Sequence, residues 1–377
     1  VCQFLFLAIT AQTRDEFCIG AWQQDAHSRA TMTNLPCAVS SEALDEMMSR
    51  PPARVIESLR AVEGDVAVLG ASGKMGFQLC RMLRRAFDES GRTNRVVAVS
   101  RFSAQGSREK FEVAGLDVVA VDLSDEGALA GLPEWSTIFY LAGVKFGTSG
   151  ESGILQKMNV DMPRAVARRF RNADIVALST GCVYSFVTPE TGGSTEDSET
   201  NPVGEYAQSC LGREQAFVSA AREYRTRSAL IRLNYAIDLR YGVLLDIAQK
   251  VRDGQAVDVT MGHVNVIWQP DALAHTILAL EHVAAPPFVI NVTGTEILEV
   301  RELAEGFAKR FGKEDSLKIT GEEAGEAWLN NASKAYELLG EPVISTETMM
   351  DWIAGWLQAG GETLGKPTKF EVKDGKY

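Results

Sequence analysis

Residues 65–87 read DVAVLGASGKMGFQLCRMLRRAF, and this stretch decides the fold. Val66 to Leu69 form a short apolar, valine-rich run, Gly70 closes it, and from Gly76 the apolar residues return at helical spacing. A strand, a tight turn and a helix are therefore expected in direct succession. Gly70, Gly73 and Gly76 have the spacing that a dinucleotide-binding turn requires. Gly70 permits the turn, Gly73 lets a pyrophosphate approach the backbone, and Gly76 lets helix and strand pack closely, with the phosphates at the helix N-terminus. Ser72, Lys74 and Met75 complete the turn and are assigned to the same cofactor-binding segment.

Outward from this unit the theme repeats. RVVAVS (residues 95–100), DVVAVD (117–122) and STIFYLAG (136–143) are apolar runs of strand length, read as parallel strands buried on both faces. A helical pattern from Glu151 to Arg171 leads to the strand DIVALST (174–180), and the polar stretch Thr188–Asn201 is expected as a surface loop. A helix over Glu205–Tyr224 and the strand SALIRLNYA (228–236) complete the series. The alternation predicts an α/β fold with a Rossmann-like, doubly wound parallel sheet. Beyond Asp238 the pattern predicts helices over Val243–Arg252, Asp271–Val283 and Val300–Phe311 and strands in AVDVT and PFVINVTG. This is a smaller C-terminal α/β substrate lobe, some of whose elements return to the main sheet. The chain divides accordingly into a partly irregular N-terminal extension (1–60), a nucleotide-binding domain (61–240) and the lobe (241–377).

With 45% hydrophobic and 23% charged residues among 377, the chain has a globular composition. A formal net charge of -12 disfavours nucleic acid and anionic membranes as partners and leaves a small molecule. The six cysteines show no C-x-x-C pair and no histidine at ligand spacing, which predicts no metal site and a reducing, cytoplasmic setting. The apolar run Val1–Thr10 is too short to span a bilayer.

Strand ends carry the cofactor detail. The second strand ends in Ser100-Arg101 with no acidic residue to accept from a ribose 2′-hydroxyl, so NADP is favoured and NAD is the alternative. Asp122-Leu123 is expected to face the adenine, and Leu141-Ala142-Gly143 to end the fourth strand at the switch-point crevice.

Together these motifs resemble the extended short-chain dehydrogenase/reductases of the NAD-dependent epimerase/dehydratase family, over residues 65 to 340 or so. GASGKMG, LAGVKFGTSGES, MNVDMP, STGCVYSF and NVTGTEILEVRELAEGFAKRFGK are the stretches that carry the likeness. It implies that Thr180 orients a substrate oxygen, that Tyr206 in EYAQSCLGRE is the acid/base, and that Asn159 and Lys145 lie near the cofactor. The departure is equally clear: the family pattern Tyr-x-x-x-Lys has Cys210 at the lysine position. An unassisted phenol of pKa about 10 is only about a thousandth ionised at pH 7, and a neutral thiol supplies no positive field. Lys145 is the candidate replacement, a solvated loop lysine being the other reading. Arg213, roughly 10 Å further along the helix axis, is not expected to touch Tyr206.

The implied activity is hydride exchange at a secondary alcohol of a small carbohydrate-like substrate (sugar, polyol or sugar acid), as net oxidoreduction or as epimerisation. The alternative is a non-catalytic NADP-binding sensor or regulatory protein, suggested by Cys210. Glu322, Glu323 and Glu326 stand where the resemblance leads one to expect basic residues, and their repulsion argues against a nucleotide-diphosphate sugar. Asp271 is expected as a helix N-cap and Arg240 as an exposed ion pair. The helices at Glu151–Arg171 and Glu205–Tyr224 imply a homodimer by the same resemblance.

Overall fold

A computed structural model describes residues 40–145 and 152–373. The opening apolar run, Cys2, Cys18 and Cys37 lie outside the described residues. The main strands are β1 (Val66–Leu69), β2 (Val96–Ser100), β3 (Asp117–Ala120), β4 (Thr137–Tyr140), β5 (Asp174–Thr180) and β6 (Ser228–Leu233). Short strands follow at β7 (Ala236–Ile237), β8 (Ala256–Asp258), β9 (His263–Val264) and β10 (Ile267–Trp268). Then come β11 (Phe288–Val292), β12 (Leu298–Glu299) and β13 (Lys318–Thr320).

Seven strands form one parallel sheet in the order β11-β6-β5-β4-β1-β2-β3. The order reverses between β1 and β4, which opens a crevice at their carboxyl ends. Val66, Ala67, Val68 and Leu69 have no solvent exposure; burying each valine or leucine side chain contributes about 1.5–3 kcal/mol, so β1 anchors the sheet. The expectation of strands buried on both faces fails at β3, where Asp117 and Ala120 are exposed, because β3 is the sheet edge and one flank has no neighbour.

Two glycines set the turn after β1. At Gly70 φ is +88°, and a Cβ would sit 2.5 Å from Ala142 N, so the end of β4 can close against the turn only here. At Gly76 a Cβ would lie 2.2 Å from Ala71 O, the close approach of helix Gly76–Glu89 to the strand.

The helix expected from Glu151 to Arg171 is interrupted. Ser152–Gln156 is α-helical, Lys157–Asp161 is a π turn, and Met162–Arg169 is α-helical again. Pro163 has no N–H to give to the carbonyl of residue 159, which removes one α-helical bond just where the π turn lies.

The C-terminal lobe packs helices Val243–Arg252, Val300–Phe311 and Thr346–Gln358 around Leu244, Ile247, Phe307, Trp352 and Ile353. β11 returns from the lobe to the main sheet beside β6. Residues 40–60, part of the expected extension, are ordered into helices Ser41–Met48 and Ala53–Leu59. Leu44 and Met48 of the first lie in the lobe's core, while its Asp45 accepts from Gln78 Nε2 at 2.8 Å on the nucleotide-binding side. No helix among the described residues is long and apolar enough to cross a membrane.

The stretch Thr188–Asn201 is the expected surface loop, with Gly193 and Ser194 alone buried, and it is tied to the lobe at a few points. Ser194 N donates to Leu329 O and Asn331 N to Ser194 O, both at the lobe, and Glu196 Oε1 accepts from Asn291 N at 2.7 Å. Its anchor points are thus few, and most of its residues stay exposed or partly exposed, as the turn-forming composition implies.

Candidate active site

Two cavities adjoin at the carboxyl ends of the sheet. The first, about 220 Å³, is lined by Gly70, Ser72, Gly73, Ser100, Arg101, Ser103, Asp122, Leu123, Leu141, Ala142 and Gly143, with others. It therefore brings together most of the residues assigned to the cofactor from sequence. No side chain caps helix Gly76–Glu89, so its first N–H groups and dipole are left for a phosphate. Ser72 Oγ and Ser100 Oγ meet at 2.5 Å across the turn. Among the described residues, the only close neighbour a Cβ on Gly73 would meet is Gly70 O, at 3.2 Å, which leaves its other side open to an incoming group. A nicotinamide dinucleotide fits this crevice.

The second cavity, about 180 Å³, is lined by Lys74, Met75, Lys145, Thr180, Tyr206 and Thr368 among others. Gly73–Lys74 and Gly143–Lys145 each contribute to both cavities, which makes them neighbours along the same turns. A shallower depression of about 740 Å³, around Asp65, Arg95 and Asp117, lies at the amino ends of the strands and shares no residue with either. In sheets of this kind ligands bind at the carboxyl ends.

Lys74 departs from the expectation. Its side chain turns away from the phosphate crevice, and its Nζ sits 3.0 Å from the centroid of the Tyr241 ring. Asn159 departs too: Oδ1 accepts from Val144 N and from Arg213 Nη2, and Nδ2 donates to Val144 O and to Ser209 Oγ, each at 2.9 Å. Fully buried and fully bonded, Asn159 braces the Gly143–Lys145 segment and has no polar capacity left for a cofactor.

Thr180 ends β5 and caps the following turn, its Oγ1 accepting from Cys182 N at 3.2 Å; the hydroxyl hydrogen is still available to a ligand oxygen. Tyr206 lies in the first turn of helix Gly204–Tyr224 and faces the same cavity. Lys145 Nζ is 5.5 Å from the Tyr206 ring centroid. Desolvation raises the Tyr206 pKa well above 10, the neighbouring Cys210 and Cys182 add to this, and Arg213 opposes it. Desolvation lowers that of Lys145.

Sequence reasoning missed Arg213. Its guanidinium is buried, Nη1 donating to Leu178 O and Nη2 to Asn159 Oδ1, both at 2.9 Å. Helical side chains lean toward the helix N-terminus. Desolvation raises the pKa of both Tyr206 and Cys210, and the charge of Arg213 acts against it at each.

Beneath the site Arg232 donates to Glu214 at 2.7 Å (Nη2 to Oε2) and to Tyr184 Oη at 2.7 Å, and Ser179 Oγ donates to Glu214 Oε1 at 2.6 Å. This buried set fixes β5 and β6 against helix Gly204–Tyr224.

Three further expectations are corrected. Arg240 is buried, paired with Asp45 at 2.8 Å and with Asp238 at 3.5 Å. Asp271 does not cap its own helix, which begins at Gln269; its Oδ2 accepts from Val343 N and Ile344 N. Glu322, Glu323 and Glu326 are exposed, Glu323 is paired with Arg301, and none lines the cavity. Their repulsion therefore does not bear on what the cavity binds. Among the described residues no three histidine, cysteine or acidic side chains are grouped to hold a metal ion.

Residues 66–240 match the family described as "NAD dependent epimerase/dehydratase family". No curated protein sequence matches the chain. Among solved structures it is similar to UDP-glucuronic acid 4-epimerase from Bacillus cereus in complex with NAD, at 16% identity, covering 78% of this chain and 98% of that one, with a TM-score of 0.65. It is similar also to a dTDP-glucose 4,6-dehydratase from Streptomyces venezuelae with NAD bound (19% identity, 78% and 97% covered, TM-score 0.66). A third is a UDP-glucose 4-epimerase from Thermotoga maritima (16% identity, 78% and 99% covered, TM-score 0.62). At these identities the likeness shows the fold.

Proposed function

From the match of residues 66–240 to the family described as "NAD dependent epimerase/dehydratase family", we propose that the chain is a nicotinamide-dependent oxidoreductase or epimerase acting on a secondary alcohol of a small carbohydrate-like substrate. The observation that carries the reading is the meeting of Thr180, Tyr206 and Lys145 in one cavity that adjoins the glycine crevice.

A bound nicotinamide dinucleotide supplies the hydride chemistry. Gly70, Ser72 and Gly73 would hold its pyrophosphate, Asp122 and Leu123 its adenine, and Leu141–Gly143 the stretch toward the reacting ring. Thr180 donates its hydroxyl hydrogen to the substrate oxygen. Desolvation keeps Tyr206 as the phenol, so it is set to give a proton to a carbonyl oxygen, and the reverse step leans on the positive field of Arg213 and Lys145. NADP is the preferred cofactor on this reading, because Arg101 stands at the crevice with Ser100 and Ser103.

A small substrate is supported by the cavity itself, whose roughly 180 Å³ falls below the ~300–1,000 Å³ of sites for drug-sized ligands. No arginine lines it among the described residues. The second reading, a nucleotide sugar, is favoured by what the solved relatives are named for. Calorimetry of cofactor-loaded protein with UDP-glucose, UDP-galactose and dTDP-glucose separates them: micromolar binding of any would replace the small-substrate reading. Tyr206→Phe should cut turnover of any substrate found by about 10²–10⁴ with cofactor affinity retained; full activity in that variant would refute the assignment.

A further inference from the structure

The carboxylate of Asp45 gathers three separate parts of the chain. It is buried; Oδ1 accepts from Gln78 Nε2 and from Arg240 Nη2, both at 2.8 Å, and Oδ2 accepts from Lys110 Nζ at 2.7 Å. Gln78 belongs to the helix after the glycine turn, Lys110 to the short helix Ser107–Val113 that follows β2, and Arg240 to the segment that leads into the lobe. Lys110 Nζ also stands 4.1 Å from the centroid of the Phe77 ring. A residue of the N-terminal helix Ser41–Met48 thus docks helix Ser107–Val113 onto helix Gly76–Glu89.

On the buried side three rings join the same elements. Phe111 of the short helix meets Phe77 edge-on, with centroids 5.0 Å apart, and meets Phe102 edge-on at 5.2 Å. Phe77 lies in the first turn of helix Gly76–Glu89, and Phe102 directly follows Arg101. The stack therefore links the phosphate end of the crevice to the end where Arg101 stands. Of residues 101–106 all but Phe102 are exposed, and Phe102 alone packs against the core. Its φ is +48°, a left-handed backbone that a bulky residue keeps only where its surroundings fix it. Edge-on contact with Phe111 is the geometry that aromatic pairs favour, and it supplies that fixing.

Resting on the reading of Arg101 as the ligand of the cofactor 2′-phosphate, we propose that the N-terminal helix takes part in cofactor selection, with Asp45 and Phe102 as positioning residues. Asp45 clamps Lys110, the clamp seats Phe111 between Phe77 and Phe102, and Phe102 in its left-handed turn presents Arg101 to the phosphate. Neither Asp45 nor Phe102 lines the crevice, so both act through Arg101. NAD lacks that phosphate and is indifferent to where Arg101 is held.

Titration calorimetry of the full chain with NADP and with NAD tests this. In Phe102→Ala, NADP should bind about fivefold or more weakly with NAD within about twofold of the parent, while Phe102→Tyr, which keeps the ring, should retain the parent affinities. Asp45→Asn separates placement from plain electrostatics. It takes a negative charge out of the protein, which by field alone would tighten NADP; loss of the clamp should instead weaken NADP by about threefold or more. If stranding Arg240 keeps that variant from folding, Asp45→Glu takes its place: the charge stays, the carboxylate moves by one methylene, and the same weakening is expected. A smaller effect in Phe102→Ala, equal losses of NADP and NAD, the same fall in Phe102→Tyr, or NADP affinity unchanged or raised in the Asp45 variant overturns the proposal. Failure of the underlying cofactor reading looks different: Arg101→Ala would then leave NADP affinity as it is in the parent.

Discussion

Arg213 Nη2 donates to Asn159 Oδ1 at 2.9 Å, and a Cβ placed on Gly143 would lie 2.2 Å from that same nitrogen. The guanidinium, the π-turn amide and the end of β4 thus occupy one close-packed point between cofactor crevice and substrate cavity. Gly143→Ala must push Arg213 aside, at a cost of about 1–3 kcal/mol. Urea denaturation should show the loss, and calorimetry should show weakened NAD and NADP binding together.

Arg213 is also the cation that restrains the Tyr206 pKa. Removing it raises a phenol that desolvation already holds high. In Arg213→Met, alcohol oxidation at pH 8 should fall and its rise should move to higher pH, while Arg213→Lys recovers part of the activity. A pH–rate profile unchanged in Arg213→Met would take Arg213 out of the proton path.

Cys210 cannot simply be restored to the family's lysine. It has no solvent exposure and packs against Val183 and Tyr184. A lysine there is overpacked and its charge desolvated, so Cys210→Lys should lose roughly 2 kcal/mol or more of stability, read by chemical denaturation. Cys210→Ala should fold with a loss of about 1 kcal/mol.

Arg101→Ala should weaken NADP by about 1.5–3 kcal/mol and leave NAD nearly untouched. Titration calorimetry with both cofactors checks it, and equal losses would remove the 2′-phosphate assignment.

What was legible in the sequence is what local pattern determines. The glycine turn, β1 to β6 and the helices Val243–Arg252 and Val300–Phe311 show in spacing alone, because period and turn chemistry are properties of neighbouring residues. Contacts set by distant parts of the chain were not legible. Nothing near Arg240 announces that Asp45 will meet it, and nothing in GASGKMG says that Lys74 turns toward Tyr241. The edge position of β3 likewise follows from sheet order, which its apolar run cannot encode.

Two groups on helix Gln269–Leu278 are shifted in opposite senses. His275 is buried, its Nε2 held 2.8 Å from Gly340 O and its Nδ1 without a partner among the described residues. Desolvation lowers its pKa to about 4, so between pH 6.5 and 4 the unfolded chain takes a proton that the native histidine refuses, and stability falls as pH falls. Asp271, one helical turn earlier, is desolvated to a pKa of about 6 despite accepting from Val343 N and Ile344 N. Its native carboxyl gains a proton below pH 6 that the unfolded one does not take until near pH 4, so over that window stability rises as pH falls. Each shift is worth on the order of 3 kcal/mol at most, and the two oppose each other. Local stability of the segment around Gly340–Ile344 should therefore change little from pH 6.5 to 4 in the parent chain. His275→Gln should make stability rise on acidification, and Asp271→Asn should make it fall. Hydrogen exchange of the Ile344 amide across that range reads both; parallel pH slopes in the two variants would show that these groups do not set the balance.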